Sequence, residues 1–275
     1  MNKILVPTDF TSVSEFAIKY AVEIAEVTGY SVNILHIVKS ESDLAEANVK
    51  LDAQATLLGI KYGCKISGVS HVGNIFDDIP KVAETEKAQL VVMGTHGLRG
   101  MQFIVGSNAL RIISESTVPI IIIQDNNTTS AKLKKVLAPL DLHKETKQKL
   151  KIAADVAERF KAEVHLISPK ETDEYLSNRL MRNLAYAEGY MEERNIAYKT
   201  SVTESGSSGF VKEMIKYAKY AEIDLICILN TAEEQLIHAF GMDSEQKIIT
   251  NDALIPVMVL NPAITLLDDR SIFAQ

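Results

Sequence analysis

Residues Asn2–Asp9 and Lys134–Asp141 follow one pattern: a lysine near the start, an apolar run, Pro, one residue, then Asp. Their separation of 132 is close to that of two further matches. Gln89-Leu-Val-Val-Met93 answers Asp224-Leu-Ile-Cys-Ile228 at 135, and Val118-Pro-Ile-Ile-Ile-Ile123 answers Ile255-Pro-Val-Met-Val-Leu260 at 137. The drift needs only small insertions in loops. A period this long implies a duplicated domain, because solenoid repeats run about 20–50 residues. The polar stretch Gln124–Ser130 has the composition of a linker. The expected division of the 275 residues is therefore 1–126 and 132–275.

Each copy alternates strand and helix patterns. Short Val- and Ile-rich runs at 3–7, 31–38, 65–71, 89–94 and 118–123 read as strands covered by helices on both faces. Between them run helical stripes: Phe16, Ala17, Ala21, Ile24 and Ala25; then Leu44, Ala47, Leu51, Ala55 and Leu58. Ile75, Ile79, Val82 and Ala83 make a third, and Ala109, Ile112 and Ile113 a fourth. The second copy predicts strands near 135–139, 163–168, 196–202, 223–229 and 255–260, with helices near 143–160, 171–193, 207–221 and 242–251. The expected fold class is α/β: two doubly wound domains, each a five-stranded parallel open sheet with helices on both faces.

Composition narrows the function. The formal net charge is −7, from 29 basic and 36 acidic residues, which argues against a general nucleic-acid binder that must neutralise phosphates. Cys64 and Cys227 stand alone, so neither a disulfide framework nor a paired-thiol metal site is expected. Apolar runs such as 118–123 are far shorter than the roughly 20 residues of a membrane helix. The opening MNKILVPTDF meets Asp9 too early for a secretory signal, so a cytoplasmic protein with no membrane partner is expected.

In an open α/β sheet, ligands bind beyond the carboxyl ends of the strands where strand order reverses. The residues after strands one and four therefore carry the candidate site. After strand four comes Gly94-Thr-His-Gly97-Leu-Arg-Gly100, then 101–105, then Gly106-Ser107-Asn108 opening a helix with Ser107 as the expected N-cap. Glycines admit close approach, and a phosphate here would meet unpaired backbone N–H groups and the positive end of a helix dipole. After strand one, Pro7-Thr8-Asp9 places a carboxylate toward the same crevice, where it can accept from an adenine amino group or a ribose hydroxyl. The alternative is that the glycines only make a long loop and Asp9 caps the first helix.

The combination of PTDF after strand one, VVMGTHG after strand four, GSNA starting helix four and VPIIII as strand five resembles the universal stress protein family, and the duplication resembles its tandem members. The resemblance implies Rossmann-like domains of the adenine nucleotide alpha hydrolase-like kind, and a stress-response role as a regulatory or signalling module. In the nucleotide-binding branch it implies a Gly-two-Gly-nine-Gly-Ser/Thr motif holding ATP phosphates and ribose. Carried onto this chain, Pro7, Thr8 and Asp9 surround the adenine end, while Met93, Gly94, His96, Gly97, Gly106, Ser107 and Asn108 surround the ribose and phosphates. The implied ligand is ATP or AMP, with or without magnesium. This chain departs from the motif in having eight residues, 98–105, between Gly97 and Gly106. A scaffold of the same fold that binds no nucleotide is the alternative, with adenine nucleotide carried on purification as the discriminating observation.

In the second copy Leu229 stands where Gly94 does, and the loop to Gly241 carries Glu233 and Glu234, which repel phosphate. Asp141 is retained, but Asp243 precedes Ser244 where a glycine would be. The second domain is therefore expected to be degenerate. Strand five comes last in each domain and would lie at a sheet edge. The resemblance implies dimerisation through it, so 118–123 and 255–260 are expected to pair within one chain, with a homodimer as a further arrangement.

No Walker lysine, kinase-type strand lysine or Gly-x-Ser-x-Gly elbow is present. No catalytic residue is assigned, and at most slow ATP hydrolysis is expected. His36 and His165 fall on predicted buried strands and read as packed core residues, with no metal site expected. Lys3 and Arg99 are the basic residues placed near the glycine loop, the Lys132, Lys134 and Lys135 cluster reads as a solvated face, and Ser205–Gly209 reads as a loop able to meet an anion at the next helix.

Overall fold

The computed structural model describes residues 2–95, 106–124, 130–140, 142, 146–230, 241–261 and 273. The chain divides into two compact units, Met1–Ala131 and Lys132–Ala274.

In the first unit, β1 (Lys3–Pro7), β2 (Ser31–Val38), β3 (Ile66–Val72), β4 (Ala88–Thr95) and β5 (Ile120–Gln124) form a parallel sheet in the order β3-β2-β1-β4-β5. Helices α1 (Ser12–Thr28), α2 (Leu44–Tyr62), α3 (Ile75–Thr85) and α4 (Gly106–Ser114) connect them, with a short 3-10 turn at Glu41–Asp43. The second unit repeats this plan: β6 (Lys135–Pro139), β7 (Glu163–Ser168), β8 (Tyr198–Val202), β9 (Leu225–Leu229) and β10 (Val257–Leu260) lie in the order β8-β7-β6-β9-β10. Its helices are α5 (Thr146–Phe160), α6 (Glu174–Glu193), α7 (Ser207–Tyr220) and α8 (Gly241–Ile249). Strand order therefore reverses between β1 and β4 in one unit and between β6 and β9 in the other.

The central strands are apolar on both faces because helices cover both. Ile4, Leu5 and Val6 in β1, Leu90 to Met93 in β4 and Leu225 to Cys227 in β9 are all essentially inaccessible. The outer strands β3 and β8 keep half-buried and exposed polar positions. Of the helical stripes, Ala47, Leu51, Ala55 and Leu58 are buried on α2, and Ala109, Ile112 and Ile113 on α4. Thr11 caps α1 by accepting from the Ser14 amide, and Gly29 closes it at φ 75°, a left-handed position that glycine enters without Cβ strain.

Among the strands that start later than the apolar runs predict, two follow a proline. β5 starts at Ile120 and β10 at Val257, each just after a proline. Pro119 and Pro256 have no N–H to give a ladder, so they join it only as acceptors, from the Val91 and Ile226 amides, and the strands proper begin one residue on. The turn before each strand is tied by a buried polar side chain. Ser116 bonds the Val118 backbone through its hydroxyl, and Asn251 bonds the carbonyls of Ile248 and Ile255 and the Ile255 amide. Among the described residues, no helix is long and apolar enough to cross a membrane.

Candidate functional site

The carboxyl ends of β1 and β4 lie side by side, and the pairing of Leu5 with Val91 sets Pro7 level with Met93. Beyond β1 the chain is braced rather than loose. The buried Thr8 hydroxyl meets Ser14 Oγ at 3.1 Å, donates to Gln54 Oε1 at 3.2 Å and accepts from the Phe10 amide at 3.1 Å. Its carbonyl accepts from His36 Nδ1 at 2.7 Å. A carbonyl only accepts, so that contact places a hydrogen on Nδ1. Phe10 sits at φ 65°, a costly conformation for a bulky side chain, and its ring lies 4.5 Å from the His36 ring.

Asp9 is exposed, and its Oδ1 accepts from the amide and hydroxyl of Thr11 at 3.1 and 2.5 Å. Thr11, not Asp9, caps α1. One carboxylate oxygen thus sets the turn, and the group stays in solvent beyond the carboxyl end of β1.

Across from it, Met93 is 1% exposed and belongs to the core. Gly94 is required by packing. A Cβ there would lie 2.6 Å from Val13 Cγ1 and 2.8 Å from the Val13 carbonyl oxygen, so β4 and α1 approach as closely as they do because this residue has no side chain. Helix α4 starts at Gly106, which places Ser107 inside its first turn and not at the expected N-cap. It is the first-turn backbone amides, including those of Ser107 and Asn108, that lack intrahelical acceptors. His96, Gly97, Arg99 and 101–105 lie outside the described residues.

Four residues of this crevice escape sequence reasoning: Phe10, His36, Gln54 and Thr95. His36, expected to be packed in the core, is instead half-buried two residues before the end of β2, with its ring against the Thr8 carbonyl. Thr95, the last residue of β4, is 1% exposed, and its hydroxyl has no partner among the described residues. A buried hydroxyl with no partner costs about 1–3 kcal/mol, so Thr95 calls for a partner outside the described residues. The signal was in the VVMGTHG run, where Thr95 separates the quoted glycine from the histidine.

Lys3 is a correction. It occupies the amino end of β1, about 13 Å of strand away from the site, and its ammonium pairs with Glu86 at 2.6 Å.

The second unit keeps Pro139 at the place of Pro7 but differs at other equivalent places. Leu140 replaces Thr8 and is fully buried, Ser168 stands in the place of His36, and Leu229 in that of Gly94. Asn230, at the position of Thr95, donates to Asn261 Oδ1 at 2.7 Å. The end of β6 is taken by Lys149, 4% exposed, whose ammonium donates to the Pro139 carbonyl at 2.8 Å. Asp141, Glu233 and Glu234 lie outside the described residues. The Ser205–Gly209 loop is already matched with an anion from its own chain. The Glu213 carboxylate accepts from the amides of Glu204 and Ser205 and from the Ser205 hydroxyl, and those bonds hold its carboxyl below the usual range.

His165 is buried as expected, with Nδ1 2.7 Å from the Tyr217 hydroxyl and Nε2 2.8 Å from Glu163 Oε1, which also pairs with Lys199 at 3.0 Å. Burial lowers its pKa from the ordinary value of 6.5, against the opposing pull of Glu163. A folded-state value below the unfolded one means that the unfolded chain binds the proton first. Stability is therefore full above about 6.5 and falls as pH drops through that value toward the folded pKa. Denaturant midpoints measured from pH 7.5 down to 5.5 should decline, and His165→Gln, which keeps an acceptor and a donor, should flatten the decline. An equal slope in both proteins would exclude this origin.

Both thiols are poor nucleophiles: burial raises Cys64, with Glu26 adding to it, and pushes Cys227 up to about 12. Among the described residues, no three His, Cys, Asp or Glu side chains gather as metal ligands.

Comparison with known proteins places this geometry in a family. A sequence model of the universal stress protein family matches residues 1–124. A universal stress protein of Methanocaldococcus jannaschii is 30% identical over 139 residues, covering 45% of this chain and 82% of the relative. A second from the same organism is 24% identical over 158 residues, covering 46% of this chain and 97% of the relative. The crystal structure of a universal stress protein from Archaeoglobus fulgidus matches 96% of this chain and 97% of its own length, with a TM-score of 0.71 and 19% identity. With the α/β units, the matched first 124 residues and a relative at 30% identity in hand, the chain belongs to the universal stress protein family.

Proposed function

We propose that the first unit binds an adenine nucleotide, ATP or AMP, beyond the carboxyl ends of β1 and β4, and that occupancy tunes an interaction with another protein in a stress response. The buried Thr95 hydroxyl, which has no partner among the described residues, carries this reading. Family membership supports it, as do the first-turn amides of α4, which are donors suited to phosphate. In this assignment Pro7, Thr8 and Asp9 border the adenine end. Met93, Gly94, His96, Gly97, Gly106, Ser107 and Asn108 border ribose and phosphates, and a magnesium ion would arrive with ATP. The role is binding rather than turnover, in the cytoplasm. The second unit has given up the site and serves as a partner for the first, and β5 and β10, each last in its own unit's sheet, are the strands through which we take the units to pair.

Small molecules released from freshly purified protein and identified by mass spectrometry test this reading, followed by calorimetric titration with ATP, AMP and GTP. The expected result is one adenine nucleotide per chain, with binding lost in Gly97→Val. Thr95→Val should weaken binding about tenfold while leaving stability unchanged or higher, since among the described residues its hydroxyl has no hydrogen bond to lose. No released nucleotide, and no heat from any of the three, would establish the scaffold alternative.

A further inference from the structure

Helix α2 is apolar on two faces. Ala47, Leu51, Ala55 and Leu58 pack into the first unit, while Val49, Leu57 and Ile60 stand 70%, 64% and 80% exposed. With Ala53 these form a second stripe, spaced at four, four and three residues from 49 to 60 and about 16 Å long, with Thr56 beside it. Asp52, Ala53, Thr56, Leu57 and Ile60 line a shallow hollow of about 590 Å³ along it. Such a stripe is the seam of a helix pair, in which one helix's large side chains enter gaps between the other's. Patches of this kind on a folded protein mark interaction sites.

The charges along the helix indicate what covers it. The residues leading into and opening α2 are acidic, Glu41, Asp43 and Glu46, and those closing and following it are basic, Lys61 and Lys65; all five are exposed. Glu46 also holds Lys50 at 2.6 Å within the helix. A second α2 laid antiparallel across the stripe sets Val49 near Ile60 and Ala53 near Leu57. It also brings the acidic start of each helix to the basic end of the other. A parallel arrangement would oppose like charges. Antiparallel pairing of one patch with itself is the geometry of a two-fold dimer.

We propose that the outer face of α2, built on Val49, Ala53, Leu57 and Ile60, is a self-association surface that takes the same face of a second copy of this chain, antiparallel and steered by its acidic and basic ends. This surface is separate from the strand edges and from the crevice at β1 and β4, and the proposal does not depend on nucleotide.

Sedimentation of the full chain from about 1 µM to several hundred µM suits an interface below standard size. The wild type should show a monomer–dimer equilibrium, and Leu57→Glu should raise its dissociation constant at least about tenfold with an unchanged melting temperature, since the side chain is already exposed. Two charge variants test the orientation. Lys61→Glu/Lys65→Glu has two acidic ends and Glu41→Lys/Glu46→Lys two basic ones, so each alone should stay monomeric while an equimolar mixture should form a heterodimer. A chain that is monomeric throughout overturns the proposal, whether the stripe is bare or covered by another part of the molecule. So does a dimer indifferent to Leu57→Glu, and a mixture that fails to associate overturns the antiparallel pairing.

Discussion

Replacing Gly94 by alanine should lower the stability of the first unit by about 3 kcal/mol, the upper end of the usual cost of overpacking. The added Cβ meets the Val13 carbonyl oxygen at 2.8 Å and Val13 Cγ1 at 2.6 Å. A side chain can turn away, but a carbonyl in the first turn of α1 moves only if the helix moves. Urea unfolding followed by circular dichroism measures the loss. Val13→Ala in the Gly94→Ala background separates the two contacts: it removes the methyl contact and leaves the carbonyl, so it should restore only part of the stability. Full restoration would show that the side chain alone sets the approach of β4 to α1, and an unchanged midpoint in Gly94→Ala would refute the packing role. Because Gly94 also borders the proposed nucleotide crevice, the variant's weaker binding has to be compared with Thr95→Val, which perturbs the crevice without the clash.

The second large effect belongs to the other unit. Lys149→Ala should cost about 3 kcal/mol, from a buried side chain removed and the Pro139 carbonyl left without its ammonium donor. Lys149→Met fills most of the volume and removes a charge that is expensive to bury, so its cost should be clearly smaller. If the two variants are equally destabilised, the ammonium's hydrogen bond dominates and volume is irrelevant. Neither variant should bind nucleotide in the second unit, because Leu140 and Leu229 remain where the first unit has Thr8 and Gly94. A second equivalent of nucleotide in Lys149→Ala would mean that this one side chain, and not the whole set of replacements, closed the site.

Much of the fold could be read from patterning. The strand runs 3–7, 31–38, 135–139 and 163–168 coincide with β1, β2, β6 and β7, because central parallel strands must be apolar on both faces and so stand out as short continuous runs. Where patterning overreached, the backbone explains it: Val118 and Ile255 continue an apolar run, but the prolines after them delay the start of the strand. The candidate site was legible only as a place. Strand alternation located it at the reversal of strand order, yet the duties of its residues were not visible there. His36 sits on a strand and was read as core, but its ring meets the Thr8 carbonyl just beyond the end of β1. Lys3 is close to Pro7 in number and a whole strand away in space. Ser107 is a good cap by type but falls one residue inside the helix.

The order of residues alone determined the duplication, the alternation of strand and helix, the family and the crevice, because each is written in local periodicity or in spacing along the chain. Tertiary structure alone decided that Gly94 is small for the sake of Val13, that Thr95 buries a hydroxyl with no partner among the described residues, that Lys149 closes the end of β6, and that α2 keeps a bare apolar stripe. Those properties depend on which atoms from distant parts of the chain come within a few ångströms, and periodicity records whether a residue is buried but not what it is buried against.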